Sequence, residues 1–109
     1  MAQDSYHLRR TNKALRQAAA KIGAKLLVDG YDDEAGQDVL AVRAGEYLFS
    51  LDYLNCEEED TNYKLYVFQA GVKTWLGVKY CKNLPHLANS ISKIARLTPD
   101  QAKQYLDGR

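Results

Sequence analysis

Hydrophobic residues near the N-terminus recur with the period of an α-helix. Leu8, Leu15, Ala19 and Ile22 are separated by seven, four and three positions, which places them on one stripe of a helix. The opposite half of the helical wheel is basic and comprises Arg9, Arg10, Lys13, Arg16 and Lys21. The pattern predicts one amphipathic helix from about residue 4 to Gly23, where a glycine favours termination.

The middle of the chain has the two-residue period of β-strands, interrupted by turn residues. Five short strands are predicted, over residues 24–31, 38–44, 47–56, 63–70 and 72–81. In the third, Tyr47 and Phe49 alternate with Leu48 and Ser50. In the fifth, the alternation predicts one side formed by Val72, Thr74, Leu76, Val78 and Tyr80, and another formed by Lys73, Trp75, Gly77, Lys79 and Cys81.

The C-terminal region returns to the helical period. Its first helix has an apolar stripe formed by Leu87, Ile91, Ile94 and Leu97. A short final helix is predicted to begin at Thr98, because threonine caps well, Pro99 suits the first helical position and Gln101 can complete a capping box.

This order of elements predicts an α+β fold: a two-layer sandwich with an N-terminal amphipathic helix, an antiparallel meander of about five strands and two C-terminal helices. The chain has 109 residues, so residues 1–109 are expected to form a single domain. One face of the sheet should bury the apolar stripes of the helices.

Composition narrows the setting of the protein. No apolar run approaches the ~20 residues that span a bilayer, and the N-terminal residues contain no apolar signal core. Cys56 and Cys81 lack the short spacing of a zinc or redox motif and are expected to be free thiols. A disulfide between them is the alternative, and it requires an oxidising compartment and suitable geometry. These features predict a cytoplasmic protein without a membrane partner.

Charge is sorted into three blocks along the chain. Residues 1–25 contain six bases and one acid, residues 26–60 eleven acids and Arg43 alone, and residues 61–109 eight bases and two acids. The formal net charge of +1 therefore conceals strong local fields. Such sorting is typical of a protein that recognises a charged partner.

No motif for catalysis, metal binding or a cofactor stands out. The glycines are scattered singly, without a phosphate-binding loop, so no cofactor is predicted. Cys81 and His86 could form a thiol–base pair, which keeps an enzyme as the third hypothesis. The prediction is a non-enzymatic protein.

Two acidic loops give the leading functional hypothesis. The first is formed by Asp32, Asp33, Glu34 and Asp38, and the second by Glu57, Glu58, Glu59 and Asp60. At one end of the sheet they would form an anionic patch for a protein partner with a basic surface, or a mimic of nucleic-acid phosphate. The predicted protein is a regulator, adaptor or inhibitor, including of a nucleic-acid-handling machine. Alternatively, the acids only keep the sheet edges unpaired.

Aromatic and basic residues on the last two strands give the alternative hypothesis. If they share a face, Lys64, Tyr66, Phe68, Lys73, Trp75 and Lys79 would interleave rings and ammonium groups. Single-stranded nucleic acid is bound by such surfaces, because bases stack on rings while cations contact phosphates. The same positions could instead face the helices, and an exposed face or edge also leaves homodimerisation open.

Overall fold

The computed structural model describes residues 2–53, 63–72 and 74–106, and its elements follow the predicted order. They are α1 (Ala2–Ile22), β1 (Lys25–Asp32), β2 (Gln37–Ala44), β3 (Tyr47–Tyr53), β4 (Tyr63–Gln69), β5 (Thr74–Cys81), α2 (Leu84–Ala95) and α3 (Pro99–Tyr105). The strands form one antiparallel sheet in the order β1-β2-β3-β4-β5. The predicted α+β meander is therefore confirmed. The predicted continuation of the third strand to residue 56 lies outside the described residues.

The helices bury their apolar stripes against one face of the sheet. The largest fully buried side chains from both layers are Tyr47, Phe49, Leu15, Leu65, Leu87, Ile91 and Ile94. Burying one such side chain contributes about 1.5–3 kcal/mol. The alternation on β3 and β4 is confirmed, because Phe49 and Val67 face the helices while their neighbours Leu48 and Phe68 do not.

Both C-terminal helices begin with a side-chain cap. Asn83 accepts a hydrogen bond from the backbone N–H of His86 at the start of α2, at 2.9 Å. Thr98 and Gln101 form the reciprocal capping box at the start of α3. The start of α3 was therefore predictable from three residues, since the box satisfies backbone donors that the helix itself cannot.

Asn12 is a buried polar residue of α1 that the apolar pattern does not predict. Its side-chain amide donates to the carbonyl of Asp38 at 2.8 Å and accepts from the backbone N–H of Leu40 at 3.1 Å. The pairing of β2 with β3 covers only the segment from Val42 to Ala44 on β2. Beyond that segment, the side chain of Asn12 replaces β3 as the hydrogen-bond partner of two backbone groups of β2, the carbonyl of Asp38 and the amide of Leu40.

A β-bulge makes the predicted alternation of β5 wrong. Val67 pairs with Gly77 but Phe68 pairs with Trp75, so Leu76 is an extra residue on β5. An extra residue reverses the alternation beyond it. Lys79 consequently lies on the helix-covered face and not on the side of Trp75 as predicted. A second register shift, between Val28 and Gly30, lies on β1, so both edge strands are irregular.

Candidate functional site

Within the described residues, no helix packs on the second face of the sheet, which we call the open face. Its members follow from the register, because directly paired residues point to the same side. Lys25 pairs with Arg43, Arg43 with Leu48, Leu48 with Phe68, and Phe68 with Trp75. One row, the cross-sheet row, therefore spans all five strands. At about 4.8 Å per strand its length is about 19 Å.

The cross-sheet row combines two exposed cations with one exposed ring, Trp75, and one partly buried ring, Phe68. Lys25 and Arg43 are exposed at one side, and Trp75 is 49% exposed at the other. Arg43 donates from Nε to the carbonyl of Gly45 at 3.1 Å, which fixes the orientation of its guanidinium group. Four further N–H donors remain on that group for recognition of an anion. The row can therefore contact an apolar ring and a negative charge at the same time.

A second group of rings lies beside the row on the same face. The Lys64 ammonium lies 5.1 Å from the ring centroid of Tyr66 and 5.9 Å from that of Tyr80. Val78 pairs with Tyr66 on this face and is nonetheless buried, so neighbouring side chains shield it. The pKa of Lys64 is raised by a hydrogen bond with the Tyr66 side chain and by electrostatic interactions with Tyr66, Tyr80 and Asp52.

The structure brings together four of the six side chains predicted for nucleic-acid binding. The four on the open face are Lys64, Tyr66, Phe68 and Trp75. Lys79 lies on the other face, where its ammonium is 4.7 Å from the Tyr105 ring centroid of α3, and Lys73 lies outside the described residues. Lys25 and Arg43 also lie in the cross-sheet row and were not predicted from the sequence. The lone base in an acidic block was the only signal for Arg43, and nothing indicated Lys25.

The first acidic loop forms the tight turn between β1 and β2. The Asp32 carboxylate accepts from the backbone N–H groups of Glu34 at 2.9 Å and Ala35 at 3.0 Å, so it holds the turn itself. Asp33, Glu34 and Asp38 are exposed. Three of the four predicted acids of this loop are therefore accessible to a partner.

The second predicted loop, Glu57–Asp60, lies outside the described residues. The strand ends that flank it, Tyr53 and Tyr63, pair with each other at the end of the sheet that also carries the β1–β2 turn. We call this the acidic end. Beside it, Arg10 and Lys13 of α1 line a cleft of about 290 Å³ together with Tyr63. Two cations of the first charge block therefore lie near the acidic end.

The third hypothesis depended on Cys81 and His86. Cys81 is fully buried, with its Sγ atom 3.8 Å from the carbonyl of Lys79 and 3.7 Å from Oγ of Ser90. His86 accepts at Nδ1 from the backbone N–H of Lys82 at 3.1 Å. These contacts give both side chains a structural role at the junction of β5 and α2.

No protein-family model matches the chain, and neither a curated protein nor a solved structure resembles it closely enough to indicate kinship. In the part of the chain that the structure describes, no three His, Cys, Asp or Glu side chains form a group that could hold a metal ion. No helix among the described residues is long and apolar enough to cross a membrane.

Proposed function

We propose that this protein is a non-enzymatic binding module that holds single-stranded nucleic acid on its open face. The cross-sheet row carries the proposal, because it aligns two cations with two aromatic rings. Bases stack on Phe68 and Trp75, and phosphates contact Lys25 and Arg43. Stacking one base on an aromatic side chain contributes about 1–3 kcal/mol and tolerates any base.

The sheet edges support binding on a face over binding along an edge. A β-strand from a protein partner can add to a sheet edge only where the edge offers a regular row of unpaired backbone groups, and β-bulges interrupt such rows. Both edge strands contain a register shift, next to Val28 on β1 and at Leu76 on β5. The open face is free of this obstacle.

Fluorescence of Trp75, the only tryptophan, gives a direct test with single-stranded DNA and RNA oligonucleotides. We expect quenching that weakens with added salt, because each contact with a phosphate releases bound counterions. Each such contact contributes about −0.7 to the slope of the logarithm of the binding constant against the logarithm of the salt concentration. In anisotropy with a labelled oligonucleotide, Trp75→Ala should bind about 5- to 150-fold more weakly, which corresponds to about 1–3 kcal/mol of lost stacking.

Tyr31→Ala is the matched control for Trp75→Ala. Tyr31 is 61% exposed on β1 and pairs with Asp38, away from the cross-sheet row. Its truncation should leave the affinity unchanged. Absence of binding by the unmodified protein at low salt, or equal affinities for Trp75→Ala and Tyr31→Ala, would contradict the proposal.

A protein partner with a basic surface, bound at the acidic end, is the second candidate function. Its support is the arrangement of Asp33, Glu34 and Asp38, which are exposed at the sheet end where residues 54–62 are attached. Concentrated acids attract a basic partner over a range of about 10 Å at moderate salt. The cations of α1 beside this end offset part of that field, and for this reason we place it second.

Charge reversal tests the second candidate. A partner captured by the unmodified protein should be lost when Asp33, Glu34 and Asp38 become lysine, while Asp32 is kept because its carboxylate holds the turn. Asp100→Lys, an exposed acid on α3, is the control. A partner retained equally by both variants would exclude the acidic end as its contact surface.

A further inference from the structure

A cleft of about 440 Å³ lies at the end of the sheet opposite the acidic end. α1 and α2 both end at it, and its lining includes Gly23, Ser92 and three cationic residues, Lys25, Arg43 and Arg96. Arg43 and Lys25 also belong to the cross-sheet row. The cleft therefore shares two residues with the proposed binding surface, at the end of the sheet.

The charge of the cleft exceeds what the helix ends explain. A helix C-terminus carries roughly half a negative elementary charge, so the two ends together supply about one. The lining contains three cations and no acidic side chain. A surplus of about two positive charges remains around a concave site that Ser92 also lines.

We infer that this cleft binds a phosphate group of the nucleic-acid strand that crosses the open face, an inference that rests on the proposed function. The guanidinium groups of Arg43 and Arg96 suit phosphate oxygens because each can donate two parallel hydrogen bonds. Lys25 adds a point charge at the rim. A nucleic-acid strand that stacks on Phe68 and Trp75 at one side of the row thus meets a phosphate subsite at the other side of the row.

Arg96→Gln tests the cleft separately from the open face, because Arg96 lies in the cleft and outside the cross-sheet row. With an oligonucleotide, its salt slope should be smaller by about 0.7, the value of one phosphate contact. The matched control is Lys103→Gln, which removes an equal charge from an exposed position on α3. That variant should keep the slope of the unmodified protein.

Titration with inorganic pyrophosphate gives a second readout, followed by the amide resonances of Gly23, Ala24 and Ser92. These should shift in the unmodified protein and in Lys103→Gln but not in Arg96→Gln. If the unmodified protein binds oligonucleotides and Arg96→Gln matches Lys103→Gln in slope and shifts, the cleft inference is wrong and the proposed function stands.

The cleft inference and the proposed function can also be distinguished when oligonucleotides do not bind. If oligonucleotides do not bind but pyrophosphate gives Arg96-dependent shifts, the proposed function fails and the cleft is an oxyanion site whose ligand is not a nucleic acid. If neither ligand acts, both are overturned. Oligonucleotides with and without a 5′-phosphate show whether the cleft binds a terminal or an internal phosphate. If it binds the terminal one, the difference in salt slope between Arg96→Gln and the unmodified protein should disappear when the 5′-phosphate is removed.

Discussion

Tyr47 shows how one residue can join the two layers of the fold. Its ring is fully buried on β3, and its hydroxyl group donates to the carbonyl of Leu97, just after α2. Burial, followed by the charge of Glu46, raises the pKa of Tyr47 above its usual value of 10.0. The folded state therefore retains this proton more strongly than the unfolded state does.

Tyr47→Phe should lower the free energy of unfolding at pH 7 by about 1 kcal/mol, because one hydrogen bond is lost. The raised pKa makes the contribution of Tyr47 complete below about pH 10, and it is lost as the pH rises through the folded-state value. Urea denaturation between pH 7 and 11 should thus show the difference between variant and unmodified protein narrowing above pH 10.

Tyr31→Phe is the control for that series, since the Tyr31 ring is exposed and its loss of a hydroxyl group should cost little. Parallel stability curves for Tyr47→Phe and the unmodified protein across the whole pH range would contradict the role given to the buried hydroxyl.

At the scale of elements, the turn between β2 and β3 packs directly against the end of α2. Gly45 has a φ of +59°, and a Cβ atom there would lie 2.7 Å from the carbonyl oxygen of Ala95. Both the left-handed backbone and the close approach require glycine. This contact sets the distance between the turn and the helix.

Gly45→Ala should therefore destabilise the protein by about 2–4 kcal/mol, combining a left-handed alanine with displacement of the helix end. Gly36→Ala is the matched control: its φ is +67°, but nothing lies within 4 Å of an added Cβ. It should lose only about 1–2 kcal/mol. Equal losses in thermal or urea unfolding would show that the approach to Ala95 carries no cost.

The elements themselves were largely predictable, and the errors have definite causes. Alternation predicted the faces of β3 and β4 because nothing interrupts their pairing with each other. It failed on β5 because Leu76 is an extra residue, and a bulge leaves no distinct mark in a two-residue pattern. The burial of Asn12 was missed because its partners, Asp38 and Leu40, are 26 and 28 positions away.

At the scale of the whole molecule, the meander places the acidic β1–β2 turn and the cationic cleft at opposite ends of the sheet. Alternate connections of a meander lie at the same end of the sheet, so the β1–β2 turn and the strand ends flanking residues 54–62 are together. The cleft with Lys25, Arg43 and Arg96 lies at the other end. The exposed acids of the β1–β2 turn thus lie at one end of the sheet and the three cationic residues of the cleft at the other, with the cross-sheet row near the cleft.

The candidate site was only partly predictable for the same geometric reason. The residues with aromatic rings were identified from their positions on adjacent strands. The cations beside them come from β1 and β2, and only the full register Lys25–Arg43–Leu48–Phe68–Trp75 aligns all five. A single sequence does not specify such register across a whole sheet, because it depends on turns, bulges and packing together.

The two hydrogen bonds of Asn12 have a consequence for the order of folding. The β1–β2 hairpin can form from local contacts, but the Leu40 amide and the Asp38 carbonyl obtain their partner only when α1 docks. Closing that contact requires a loop of more than twenty residues, which is slower than closing a hairpin. Protection of the Leu40 amide from hydrogen exchange therefore reports the docking of α1. The helix thus supplies hydrogen bonds that β2 needs, although the helix is not part of the sheet.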